Sequence, residues 1–194
     1  MTFLDKKYWQ TRYLKNQTGW DLGYVSNPLK KYFDQLTNKN LKILIPGCGN
    51  GYEAEYLFHM GFENVFVLDI THEPIFNLLN RCPNFSKNNC FIEDFFEWQS
   101  NEKFDLIIEQ TMFCAIDPVK RKDYLIKIHN LLENNGKYVG VLFNRTFDSG
   151  PPFGGNIHEY EQLFNPIFND STIEHCNDSI QERSGSEVFI SCVK

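Results

Sequence analysis

Leu41-Lys42-Ile43-Leu44-Ile45-Pro46-Gly47-Cys48-Gly49-Asn50-Gly51 decides how the rest of the chain is read. A short apolar run ends in a turn with glycine at every second position. Tyr52 to Met60 then carries apolar residues at helical spacing, closed by Gly61 as a C-terminal stop. This is strand, turn and helix. The pattern repeats at once: Val65-Phe66-Val67-Leu68-Asp69 is a second buried strand, and His72 to Asn80 a second helix with Pro74 in its first turn. A third strand is expected at Cys90 to Glu93 and a fourth at Phe104 to Glu109. Val119 to Leu132 reads as a long amphipathic helix ended by Asn134-Asn135-Gly136, and Lys137 to Leu142 as a fifth strand, apolar as in the middle of a covered sheet. This alternation predicts an α/β fold with a mostly parallel sheet. Beyond the turn-rich Asp148 to Gly155, a helix near His158 to Phe164 precedes two strands, Ser171 to Asn177 and Glu187 to Val193, close enough in sequence to pair antiparallel.

Upstream of Leu41 the chain is rich in Tyr, Trp, Lys and Asn and reads as two short helices, Lys6 to Lys15 and Pro28 to Leu36. With 194 residues and 42% hydrophobic content, one domain over 1–194 is expected, in which 1–40 form a helical cap on the sheet. The net charge is -6 and the nineteen Lys and Arg are scattered among acids, which excludes the clustered basic footprint of a nucleic-acid binder. A small-molecule partner is expected. The start, Met1-Thr2-Phe3-Leu4-Asp5, has no apolar signal-peptide core, and no run approaches the ~18 apolar residues of a membrane span. A cytoplasmic monomer away from membranes follows as the expectation. Cys48, Cys82, Cys90, Cys114, Cys176 and Cys192 form no Cys-x-x-Cys pair and have no His at metal spacing, so reduced thiols and no metal site are expected.

In an open parallel sheet, ligands sit beyond the carboxyl ends of the strands, and glycines in the first strand-to-helix turn let the backbone approach them. Gly47, Gly49 and Gly51 occupy that turn. Asp69, twenty positions after Gly49, ends the second strand, where its carboxylate can accept from both ribose hydroxyls of an adenosine ligand. The dinucleotide fingerprint would want glycine where Tyr52 stands, and Glu53 and Glu55 in the first helical turn repel a pyrophosphate. Adenosine with an amino-acid tail, as in S-adenosylmethionine, therefore fits better than NAD, and a nicotinamide oxidoreductase ranks last. Glu93-Asp94-Phe95-Phe96 reads either as a carboxylate and aromatic bracketing the adenine or as a solvated acid beside core rings.

Asp94-Phe95-Phe96-Glu97-Trp98, the stretch from Phe104 to Pro118 and Arg121 together resemble the thiopurine S-methyltransferase family, most closely its thiol and halide (thiocyanate) methyltransferase branch. Tyr8-Trp9-Gln10 to Thr18-Gly19-Trp20-Asp21-Leu22-Gly23 is similar to the family's N-terminal signature, Gly150-Pro151-Pro152-Phe153 to its late loop, and Arg183-Ser184-Gly185-Ser186-Glu187 to a short pattern near its end. The resemblance implies the class I S-adenosylmethionine methyltransferase fold, a Rossmann-like three-layer sandwich whose seven-stranded sheet is mostly parallel with an antiparallel last strand. It implies that Trp9, Tyr13 and Trp20 close over cofactor and acceptor. Gly47, Cys48 and Gly49 would lie along the methionine part, Asp69 and Ile70 along the ribose, and Asp94 and Phe95 along the adenine. Gln110 would also touch the cofactor, and it stands where thiopurine enzymes place a substrate-side arginine.

Methyl transfer from a sulfonium is an in-line displacement with a neutral leaving group, so an anionic nucleophile needs no strong general base. Holding nucleophile and methyl carbon near ~3 to 3.5 Å can supply roughly 7 to 11 kcal/mol. An apolar pocket adds to this by stripping water from a thiolate, sulfide, thiocyanate or iodide. No catalytic side chain is assigned; Trp20, Gln110, Phe113 and Phe153 are the candidate acceptor pocket. Cys114 reads as a buried structural thiol, and His59, His72 and His158 as surface residues. The alternatives are a thiopurine-type S-methyltransferase and a module that binds S-adenosylmethionine without catalysis.

Overall fold

A computed structural model describes residues 4–194, so Met1-Thr2-Phe3 of the expected leaderless start lie outside the described residues. Seven strands form one sheet: β1 (Ile43–Pro46), β2 (Val65–Asp69), β3 (Cys90–Ile92), β4 (Phe104–Gln110), β5 (Leu132–Phe143), β6 (Asp170–His175) and β7 (Glu187–Val193). Their spatial order is β3-β2-β1-β4-β5-β7-β6. The first five run parallel; β7 pairs antiparallel with both β5 and β6. The order reverses between β1 and β4, the switch point where open sheets bind ligands.

Alternation along the strands sends successive side chains to opposite faces. Ile43, Ile45, Leu106, Ile108, Val139 and Val141 pack on one side with α2 (Asn27–Phe33), α3 (Tyr52–His59) and α4 (His72–Arg81). Leu44, Ile107, Tyr138 and Leu142 pack on the other with α5 (Arg121–Leu131) and α6 (Ile157–Phe164). The result is the three-layer sandwich with mixed sheet that the alternation and the resemblance imply. The remaining helix, α1 (Lys6–Leu14), has no buried residue and joins neither cluster.

The largest departures from the sequence reading lie on either side of α5. The helix expected from Val119 opens as a 3-10 turn over Pro118–Lys120, fixed by the Asp117 carboxylate accepting from Val119 N at 3.0 Å. Chain then passes from Leu131 straight into β5, whose pairing shifts between Phe104↔Leu132 and Leu106↔Lys137. Asn134-Asn135-Gly136, expected to stop the helix, is instead a bulge in the strand, with Asn135 at φ 63°. No helix among the described residues is long and apolar enough to cross a membrane.

Candidate active site

The glycine turn uses its lack of side chains. Gly47, Gly49 and Gly51 have φ of 59°, 53° and 71°, all left-handed. At Gly47 a Cβ would also stand 2.5 Å from Met112 Sδ, because the loop after β4 folds over the turn. Gly47→Ala is expected to cost about 1–3 kcal/mol through strain and overlap, read as a lower urea midpoint with unchanged slope.

Asp69, at the end of β2 and 7% exposed, organises this turn. One carboxylate oxygen accepts from Gly49 N at 3.1 Å; the other accepts from Thr71 N and Thr71 Oγ1, each at 3.0 Å. Burial raises its pKa above the usual aspartate range, an effect these hydrogen bonds oppose. Cys48 N donates to Leu68 O at 3.1 Å, tying turn to strand.

Beyond the turn lies a cavity of about 400 Å³. Among the residues expected to bind cofactor or acceptor, Trp9, Tyr13, Trp20, Gly47, Gly49, Asp69, Ile70, Asp94 and Phe95 all line it. The others do not. Cys48 turns its thiol into the core beside the Gly49 carbonyl. Gln110 and Phe113 border a separate space of about 10 Å³ with Glu109 and Tyr160, large enough for roughly one water. Phe113 is held in the core by Tyr124, Tyr160 and Phe164. Phe153 contributes backbone: its N donates to Cys114 O at 2.7 Å, and its carbonyl accepts from Arg121. In its place Pro151 and Pro152 face the cavity.

Of the expected 1–40 cap, α2 belongs to the sandwich layer, while α1 and the Trp20 loop reach the cavity; polar clasps that sequence reading did not assign fasten this part. Gln10 Nε2 donates to Glu73 Oε1 at 2.9 Å, joining α1 to α4. Asn50, inside the glycine turn, donates through its amide to Asp21 of the cap loop. Arg183 donates to the Trp20 carbonyl at 2.9 Å and reaches Glu187 at 3.4 Å, so the short Arg183-x-Gly185-x-Glu187 pattern anchors the cap from the far end of the chain. Trp20 in turn meets Trp9 and Tyr13 edge to face, centroids 5.6 and 6.0 Å apart. Arg121, 2% exposed, grips Glu159 and the carbonyls of Phe153 and Gly154, fixing the proline loop.

Thr111 and Met112, also unassigned from sequence, line the cavity. Thr111 is β-branched yet adopts φ 63°, a conformation that persists only where the surroundings impose it. Glu109 imposes it: fully buried, it accepts from Phe113 N at 2.8 Å, Tyr124 Oη at 2.7 Å and Tyr138 Oη at 3.0 Å.

The titratable groups limit the chemistry. Cys114 faces the cavity, but burial, followed by the nearby Glu109 charge, pushes its thiol up to about 12, so it stays protonated at neutral pH. Its Sγ lies 3.2 Å from the Thr111 carbonyl as a donor. Burial likewise raises the Tyr13 phenol far above its ordinary value. Among the described residues lining the cavity there is no histidine. His59, His72 and His158 are exposed elsewhere.

Residues 4–193 match the thiopurine S-methyltransferase family. The chain is 30% identical over 186 residues to thiocyanate methyltransferase 1 of Brassica oleracea, covering 92% of this chain and 81% of the relative. It is also 30% identical over 163 residues to probable thiol methyltransferase 2 of Arabidopsis thaliana, covering 82% and 72%. In fold it is similar to the Burkholderia thailandensis 1,6-didemethyltoxoflavin-N1-methyltransferase, solved with S-adenosylhomocysteine bound, at a TM-score of 0.76 and 16% identity over 97% of this chain and 86% of that one. With sheet order, glycine turn and nearly full-length sequence in agreement, the chain belongs to the thiopurine S-methyltransferase family and is an S-adenosylmethionine-dependent methyltransferase.

Proposed function

We propose that the cavity takes S-adenosylmethionine along Gly47, Gly49, Asp69, Ile70, Asp94 and Phe95, and that the acceptor is a small soft anion: a thiolate, hydrosulfide, thiocyanate or halide. The observation that carries this is the lining itself. It combines rings and apolar side chains with a thiol and a phenol that burial keeps protonated, and it offers no histidine among the described residues. Carboxylates (Asp5, Asp69, Glu93, Asp94 and Asp117) and the cations Arg12 and Lys120 complete the lining; a carboxylate is ordinarily a weak base towards a thiol, so an acceptor that arrives ionised suits the pocket best. At about 400 Å³ the cavity lies near the low end of the roughly 300–1,000 Å³ usual for ligand sites, which leaves a small acceptor beside the cofactor. The names of the plant relatives agree with this class.

In this reading S-adenosylmethionine supplies the methyl group as an electrophile. Asp69 orients the ribose. Trp9, Tyr13 and Trp20 exclude water, and Met112, Pro151 and Pro152 bound the space in which the nucleophile waits. Orientation and desolvation carry the rate. A monomer acting in the cytoplasm remains part of the proposal.

The test is transfer of labelled methyl from S-adenosylmethionine to a panel of hydrosulfide, alkyl thiols, thiocyanate, iodide and thiopurines. Iodide and thiocyanate should react at rates that change little between pH 6 and pH 9, whereas thiol rates should rise as the free thiol ionises near its ordinary ~8.5. Turnover confined to thiopurines would assign the larger substrate class; absence of product from every acceptor would overturn the reading.

A further inference from the structure

We infer that Glu55, His59 and Cys82 form a binding site for a divalent cation of borderline softness, zinc being the candidate, outside the methyl-transfer cavity. Glu55 and His59 stand four residues apart on α3, hence on one face of the helix, and Cys82 follows the last residue of α4. One donor atom from each lies within 4.8 Å of the other two. The separation between Cys82 Sγ and His59 Nε2 is 3.8 Å. Tetrahedral zinc, with Zn–S near 2.3 Å and Zn–N near 2.0–2.1 Å, holds such a pair about 3.6 Å apart, so these two donors need little movement.

The chemistry of the three donors is complementary. Thiolate, imidazole and carboxylate is a mixed set that suits zinc better than calcium or magnesium, which prefer all-oxygen sites. Glu55 Oε2 accepts from Arg81 Nε at 2.6 Å, leaving Oε1 for a metal while Arg81 fixes the carboxylate from behind. Cys82 is 2% exposed and His59 is exposed, so the cluster lies where the core meets the surface, within reach of a cation from solvent. On binding, the Cys82 thiol releases its proton to water and coordinates as thiolate. Arg81 also donates to the carbonyl of Asn50, so the cation would clip α3 to α4 directly behind the glycine turn. The sequence shows no metal spacing because His59 and Cys82 are 23 residues apart and meet only through the packing of two helices.

The test titrates reduced full-length protein with zinc against a chromophoric chelator, and with cobalt(II) to detect thiolate coordination by its near-ultraviolet charge-transfer band. One equivalent should bind, with the band present. Cys82→Ser should abolish the band, and Cys90→Ser, at the half-exposed cysteine, should leave it intact. His59→Ala, a surface change that spares the fold, should weaken zinc at least tenfold. A wild-type protein with no stoichiometric zinc or no cobalt band, equal affinity in His59→Ala, or a band that follows Cys90 would overturn the site and leave the Cys82–His59 approach as a hydrogen bond alone.

Discussion

Asp69→Ala is expected to weaken S-adenosylhomocysteine binding roughly a hundredfold, measured by calorimetry. Removing the carboxylate deletes acceptors for the two ribose hydroxyls of the proposed pose. Hydrogen bonds to charged groups contribute about 1.5–3 kcal/mol each, and losses totalling about 3 kcal/mol amount to two orders of magnitude in Kd. The variant also strips Gly49 N and Thr71 of their partner, so Asp69→Asn serves as the control that keeps an acceptor in place. The pH dependence separates the two contributions. Burial raises the Asp69 pKa, and the ionised form is the better acceptor, so wild-type affinity is full above that raised value and falls as pH drops through it. The decline therefore begins at higher pH than for an ordinary aspartate near ~3.9. Asp69→Asn should bind more weakly with no such decline. Wild-type affinity in Asp69→Ala would remove the ribose assignment.

Glu109→Ala is expected to destabilise the fold by at least about 3 kcal/mol in urea unfolding. Three donors converge on this buried carboxyl, Phe113 N, Tyr124 Oη and Tyr138 Oη, and each donor left unsatisfied in the core costs about 1–3 kcal/mol. Glu109→Gln keeps the acceptor oxygen and the volume and should lose far less. Here too the sign of the titration is diagnostic. Burial raises the Glu109 pKa above its unfolded value, so its contribution to stability is fully present below the ordinary ~4.3 and is lost as pH rises through the raised value. Glu109→Gln should lack that loss and show a flatter stability profile. A mild effect of Glu109→Ala would mean that these three donors find other partners in the variant.

The parts of the fold legible in the sequence are those set by a single strong pattern. β2 and β7 match their expected spans residue for residue, because each is a continuous apolar or alternating run between turns. The helix-to-strand passage at Leu132 was not legible, since Asn134-Asn135-Gly136 has the composition of a stop whether it ends a helix or bulges a strand. In the site, Gly47, Gly49 and Asp69 could be read because turn geometry and strand ends constrain them locally. Phe113 and Phe153 could not be placed: both lie on loops whose backbones are held by side chains, Phe113 N by the buried Glu109 and the Phe153 carbonyl by Arg121, 32 residues away. The clasps Asn50 to Asp21 and Arg183 to Trp20 join segments 29 and 163 residues apart, a separation at which periodicity carries no signal.

The first helix has no fully buried residue, and its half-buried Trp9 and Tyr13 line the cavity. Elements with few buried apolar contacts open at the lowest free energy, well short of global unfolding. A ligand seated beneath α1 supplies the apolar surface that the helix otherwise lacks, so occupancy and helix order reinforce one another. In the proposed pose, residence time becomes a property of the cap: spent cofactor is expected to leave as α1 lifts, at a rate set by how firmly Gln10 and the Trp20 loop are fastened.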